Sequence, residues 1–153
     1  MIEMIVVFGI IAVLSTIAIA AFVNYNKTQV LQVAASNISA VLGLAKSSAI
    51  SQVKPDQCNN PPQVLSGYEV DIDISGGSYT LVADCGGTNQ NNSNHYTLQT
   101  YNLPKNITFG SSSQSTIFFP VIVNGVVGSG TIYLNDAYGN QRTVVVDSIG
   151  GIH

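Results

Sequence analysis

The sequence predicts an α+β fold in which one long N-terminal helix packs on a C-terminal antiparallel β-sheet domain. Three observations carry this. The opening run, MIEMIVVFGIIAVLSTIAIAAFV, is interrupted only by Glu3, Gly9, Ser15 and Thr16. Between Asn24 and Leu42 there is no Gly or Pro, and apolar residues recur at helical spacing. Beyond Pro55 the pattern changes to short alternating segments bounded by Gly, Asn and Ser, which read as strands. Helix first and strands after is the order of an α+β chain.

Composition bounds the function before any motif is considered. The chain has 153 residues, enough for one domain and the N-terminal segment. Charged residues are 8%, against about 25% in an ordinary soluble domain. The polar surface is therefore built from Asn, Ser, Thr, Gln and Gly, as suits a subunit packed into a larger body. The net charge is −3, and the five cations, Lys27, Lys46, Lys54, Lys105 and Arg142, are scattered. Nucleic acid is not an expected partner, because affinity for it grows with the number of phosphates neutralised.

The first segment, 1–23, is long enough at about 1.5 Å per residue to span about 34 Å, roughly the hydrocarbon thickness of a bilayer. It is apolar all round, so it suits lipid or the interior of a multi-chain assembly. Glu3 is the anomaly, since an ionised carboxylate in an apolar medium is costly without a partner. A partner from another chain answers that cost. The alternative is an ordinary membrane anchor with Glu3 in the headgroup region. A cleaved secretory signal fits less well, because no Lys or Arg precedes the run and no small-residue cleavage pattern ends it.

The second segment, 24–53, continues the helix as its amphipathic half. Val30, Ala34, Ile38, Leu42, Ala45 and Ala49, with Leu31 and Val41 beside them, form one face; Lys27, Gln29, Gln32, Ser36 and Ser39 form the other. Pro55 stops the helix, because the residue before a proline avoids the helical region. One helix from Met4 to about Ser51 is expected, continuous through Ala20, with its second half in a groove of the β-rich domain.

The third segment, 54–153, is a β-rich head. Tyr68–Ile74 alternates, with Tyr68, Val70, Ile72 and Ile74 inward and Glu69, Asp71 and Asp73 on a solvated face. Ser75-Gly76-Gly77 turns it into Ser78–Ala83, a hairpin. After a polar loop, Gly86–Asn94, further strands are expected at His95–Tyr101, Lys105–Phe109, Thr116–Val123, Thr131–Leu134 and Thr143–Val146, the last two joined by a turn at Asp136–Asn140. Pro120 marks an edge strand or a bulge.

Signals for catalysis and metal binding are thin. Asp71-Ile-Asp73-Ile-Ser75-Gly76 imitates the start of a calcium loop, but Val82 stands where the terminal Glu belongs. No G-x-S-x-G or phosphate-binding loop occurs. His95 and His153 are not spaced as zinc ligands with the two cysteines. No catalytic, metal or cofactor site is therefore expected. Cys58 and Cys85, an even pair behind a membrane segment, most simply form a disulfide. Sequons begin at Asn26, Asn37, Asn91 and Asn106, of which Asn91 lies in the most open loop.

The opening IEMIVVFGIIAVLSTIAIAAF resembles the N-terminal segment of type IV pilins and type II secretion pseudopilins: an Ile-Glu pair, an apolar helix, then a long amphipathic continuation. Glu3 falls on that family's glutamate, and the family's mature chain begins two residues before Met1. The remainder is similar to the GspH/FimT-like minor pilin group. Leu44-Ala45-Lys46-Ser47-Ser48-Ala49-Ile50 matches its late-helix pattern. Thr116-Ile117-Phe118-Phe119, Gly125, Gly130-Thr131-Ile132-Tyr133-Leu134 and Val144-Val145-Val146 match its closing strands. Two positions depart from the pattern. Ala20 stands where a helix-breaking proline is common, and Gly150-Gly151 stands where Gly-Arg is frequent.

The resemblance implies a pilin-like fold and a structural subunit of a helical filament, a type IV pilus or pseudopilus. Its partners would be identical or homologous subunits, the inner membrane before assembly, and a prepilin peptidase with its assembly machinery. It would end in an extracellular filament on the cell surface or in a periplasmic pseudopilus. In the fibre core Glu3 would pair with a neighbour's N-terminal amine, where an unpaired carboxylate is so costly that the pair selects register. The competing function is a ligand-binding tip module, an adhesin or DNA receptor; the scattered cations oppose the DNA receptor.

Overall fold

A computed structural model of the chain describes residues 2–59, 63–86, 94–121 and 125–153. The Asn91 sequon, most of the Asn-rich loop and the end of the strand expected to reach Val123 lie outside the described residues.

Helix α1 runs unbroken over Ile2–Ile50, through Ala20 as expected. At 49 residues it is about 73 Å long. No proline removes an N–H from its ladder. The buried stripe is Leu31, Ala34, Ala35, Ile38, Val41, Leu42, Ala45 and Ala49, the i, i+3, i+4 spacing of one helix face. Val30, expected on that face, is 36% exposed instead. The stripe starts one residue later, at Leu31, and Val30 lines an open cleft with Ile107 and Tyr138.

The helix ends before Pro55 acts on it. Gln52 adopts a left-handed conformation with φ +50°. Its N–H donates to the Ala49 carbonyl, and the Val53 N–H donates to the Ser48 carbonyl. Together these are a Schellman cap, which satisfies the last free carbonyls of the helix. A 3-10 turn comes next, at Asp56–Asn59.

Seven strands follow among the described residues: β1 (Gly67–Asp73), β2 (Ser78–Asp84), β3 (His95–Asn102), β4 (Ile107–Phe109), β5 (Thr116–Pro120), β6 (Gly130–Asp136) and β7 (Gln141–Val146). All pairings are antiparallel. The expected antiparallel β domain consists of two sheets, ordered β3-β2-β1-β5 and β4-β6-β7. Among the described residues one bridge joins β5 to the chain leading to β6, Phe118 with Val127. Gly128, with φ +81°, then turns the chain away, and its Cα lies so close to the Thr116 carbonyl that a side chain would collide with it. Pro120 closes β5 on the outer edge of the larger sheet, where its missing N–H breaks no ladder.

Helix α1 packs on β1, β5, β6 and β7, so it touches both sheets. The buried residues of helix and sheets form one core, including Val70, Ile117, Ile132, Leu134, Val144 and Val146. The Tyr68 hydroxyl donates to the Val53 carbonyl at 2.5 Å and ties β1 to the helix exit. Tyr79 stacks on Tyr101 with ring centroids 5.2 Å apart and meets Phe109 edge-on.

Cys58 and Cys85 form a disulfide, both fully buried, with Cα atoms 5.3 Å apart. It joins the turn after the helix to the residue beyond β2, across a separation of 27 residues. Replacing both cysteines by alanine should lower the unfolding free energy by about 3–4 kcal/mol, read from urea denaturation; an unchanged midpoint would refute the clasp's role. Gln52→Gly should act oppositely. Relief of the left-handed strain, about 1–2 kcal/mol, exceeds the added backbone entropy of glycine, about 0.5–1 kcal/mol. A small rise in urea midpoint at constant m-value is the expected result.

Candidate assembly surface

From Glu3 to Ser15, α1 has no cover from the described residues of the chain. Every described residue from Glu3 to Ser15 is exposed, including Met4, Ile5, Val6, Val7, Phe8, Ile10, Ile11, Val13 and Leu14. Phe22 and Tyr25 are exposed further along. Contiguous apolar surface of this extent marks an interaction site on a folded chain. By length and composition Tyr25–Ile50 also meets the requirement of a membrane span. Its apolar face, from Leu31 to Ala49, is occupied by the sheets. Among the described residues the uncovered apolar surface is therefore that of Glu3–Ser15, and such an apolar N-terminal helix suits a membrane anchor or a signal sequence.

Glu3 sits in the first turn of α1. The unpaired N–H groups there carry partial positive charge, which favours a carboxylate at this end. Its side chain is exposed, and neither ion pair among the described residues involves it. Among the described residues its charge is answered by solvent and the helix terminus alone. The Ser15 hydroxyl donates to the Ile11 carbonyl, so the polar group inside the apolar stretch is satisfied by its own helix.

At the other end of the exposed stretch the helix meets the sheet domain. The Lys27 ammonium lies 3.6 Å from the centroid of the Tyr138 ring, a cation–π contact between α1 and the β6–β7 turn. That turn is built on Asp136. Its carboxylate accepts from the Tyr138 and Asn140 N–H groups and from the Asn140 side chain. The Asn140 side chain first, then those backbone donors and Lys27, hold the Asp136 carboxyl below its ordinary range. At the far end of the helix the Lys46 ammonium donates to the Gly150 carbonyl at 2.8 Å and anchors the segment after β7.

The outer face of β1 is not the solvated face that alternation predicts. Glu69 is only 9% exposed. Its register partners are Val82 on β2 and Phe118 on β5, so apolar side chains flank it. His95, at the start of β3, brings Nδ1 to 3.4 Å from its carboxylate. Burial first, then a hydrogen bond to Asp71 and the charges of Asp71 and Asp84, push the Glu69 carboxyl up to about 7. The calcium-like stretch has a different use: the Asp73 carboxylate accepts from the Ser75 and Gly76 N–H groups and the Ser75 hydroxyl, closing the β1–β2 turn. No group of three or more metal-binding side chains occurs among the described residues.

Sequence reasoning found the Cys58–Cys85 disulfide and did not anticipate the Lys27–Tyr138 contact or the Glu69–His95 pair. The available signal for Glu69 was its place opposite the inward face; its partner depends on β3 register, which no local pattern carries. No family model matches the chain, and neither a curated protein nor a solved structure does.

The carboxyl shifts set the pH profile. Glu69 titrates near 7 folded against 4.5 for the free side chain. The folded state then binds more protons than the unfolded state between those values, so stability falls as pH rises through that window. Asp73, Asp136 and Asp147 are shifted down, so their contribution is lost on acidification below the free value of 3.8. Urea midpoints should therefore peak near pH 4–5. Glu69→Gln should flatten the decline between 4.5 and 7 and leave the acid limb in place; a variant with the wild-type slope would remove Glu69 as its cause.

Proposed function

We propose that the chain is a structural subunit of a helical filament, of the type IV pilus or pseudopilus kind, with a pilin-like fold. It is held in the inner membrane before assembly and leaves it for an extracellular or periplasmic fibre. The observation that carries this reading is the division of one helix. The half from Leu31 to Ala49 is buried on two sheets, while the half from Glu3 to Ser15 is apolar, exposed and headed by a lone carboxylate. A bilayer satisfies the apolar surface of a single chain; lateral packing of identical helices satisfies it in a fibre.

Glu3 has the role of a register selector. Transfer of its carboxylate into a helical core is unfavourable unless a cation of a neighbouring subunit meets it there. Both steps act on the same surface, so membrane retention and assembly are alternatives for each copy. The β domain, cross-linked by its disulfide and low in charge, forms the outside of the fibre.

Glu3→Ala separates the two steps. The variant should insert in the membrane as the wild type does and enter filaments at least about tenfold less well, since loss of a buried charge pair is worth well over 1.4 kcal/mol. The measurements are membrane fractionation and subunit counts in sheared filaments. Wild-type incorporation of the alanine variant overturns the role of Glu3.

A further inference from the structure

We propose that the cleft between α1 and the β6–β7 turn docks the phosphodiester of an anionic membrane lipid, and so seats the β domain on the headgroup layer before assembly. This rests on the membrane-held state proposed above. The cleft is open, about 120 Å³ in volume, and is lined by Lys27, Val30, Lys105, Asn106, Asp136 and Tyr138.

Its depth fits a headgroup. Lys27 lies four residues beyond Val23, the last residue of the apolar run, which is about 6 Å along the helix axis. The polar layer on each side of a bilayer is about 5–7 Å thick. The flanking aromatics fit the same level: Phe22, Tyr25 and Tyr138 are 68%, 64% and 59% exposed, and aromatic side chains collect at the membrane–water boundary.

Its charge fits a single phosphodiester. Lys27 comes from the helix and Lys105 from the residue pair before β4. Asp136 is the one acid in the lining, and its oxygens already accept from Asn140 and the turn N–H groups. Two ammonium groups against one carboxylate leave one net positive charge. Two of the five cations of a chain with net charge −3 thus meet at the level where the helix enters the bilayer. The cation–π contact with Tyr138 holds Lys27 in the cleft instead of letting it swing free. Basic side chains beside a spanning helix are attracted to anionic leaflets for this electrostatic reason.

The test uses the full chain in nanodiscs of phosphatidylcholine alone and of phosphatidylcholine with phosphatidylglycerol. Lysines are acetylated in a short pulse and counted by peptide mass spectrometry, with exposed Lys54 as internal reference. Lys105 should react about fivefold more slowly, relative to Lys54, in the anionic discs. Lys27→Glu should abolish that difference. Equal rates in the two discs overturn the docking site while leaving the filament reading, judged by Glu3→Ala, untouched. Equal protection by inorganic phosphate in neutral detergent overturns the lipid as its source. A chain that fails to enter nanodiscs overturns the membrane-held state and this proposal with it.

Discussion

The packing of one helix stripe across two sheets is the contact on which the rest of the structure depends. Between the sheets, among the described residues, the strand-to-strand connection of β5 with the chain leading to β6 is a single bridge, Phe118 to Val127. Backbone pairing therefore does not hold the β domain together as one layer. Leu31, Ile38, Leu42 and Ala45, each essentially without solvent exposure, bury against β1 and β5 of one sheet and β6 and β7 of the other. Removing a large side chain from such a site costs the transfer energy and a cavity together, about 2–5 kcal/mol for Leu or Ile to Ala. The disulfide and the Tyr68 hydroxyl bond then fix where the chain leaves this helix.

That packing has a consequence at the other end. A helix anchored through its last twenty residues cannot also fold its first half back onto the domain. The helix is a single element from Ile2 to Ile50, with no proline to bend it. Its apolar stretch Glu3–Ser15 is left exposed; in the proposed function lipid or other copies of the helix cover it. The proposed filament function derives from this constraint more than from any local motif.

Charge in the β domain is used sparingly and mostly for turns. Asp73, Asp136 and Asp147 each accept two or more backbone N–H groups from residues that come after them, an economical way to close a turn in a chain with little charge. Glu69 is the exception. It lies between Val82 and Phe118, near His95, Asp71 and Asp84, where burial and like charge both oppose its ionisation. The carboxyl groups thus pull the pH profile in opposite directions.

The elements were legible in the sequence because their causes are local. Helical spacing from Leu31 to Ala49, the absence of any proline before Pro55, alternation in Tyr68–Ile74 and the Asp136–Asn140 turn all act within a few residues. The pairing of Cys58 with Cys85 followed from there being only two cysteines. Other features needed the tertiary structure. The division into two sheets depends on which strand β5 meets, and the burial of Glu69 on side chains contributed by β2, β3 and β5. The Lys27–Tyr138 contact joins residues more than a hundred positions apart. Even the helix stop was decided by the hydrogen bonds of a left-handed Gln52, three residues before the proline that marks it in the sequence. Periodicity specifies which face of an element is apolar; only the fold specifies what that face, and the face opposite, will meet.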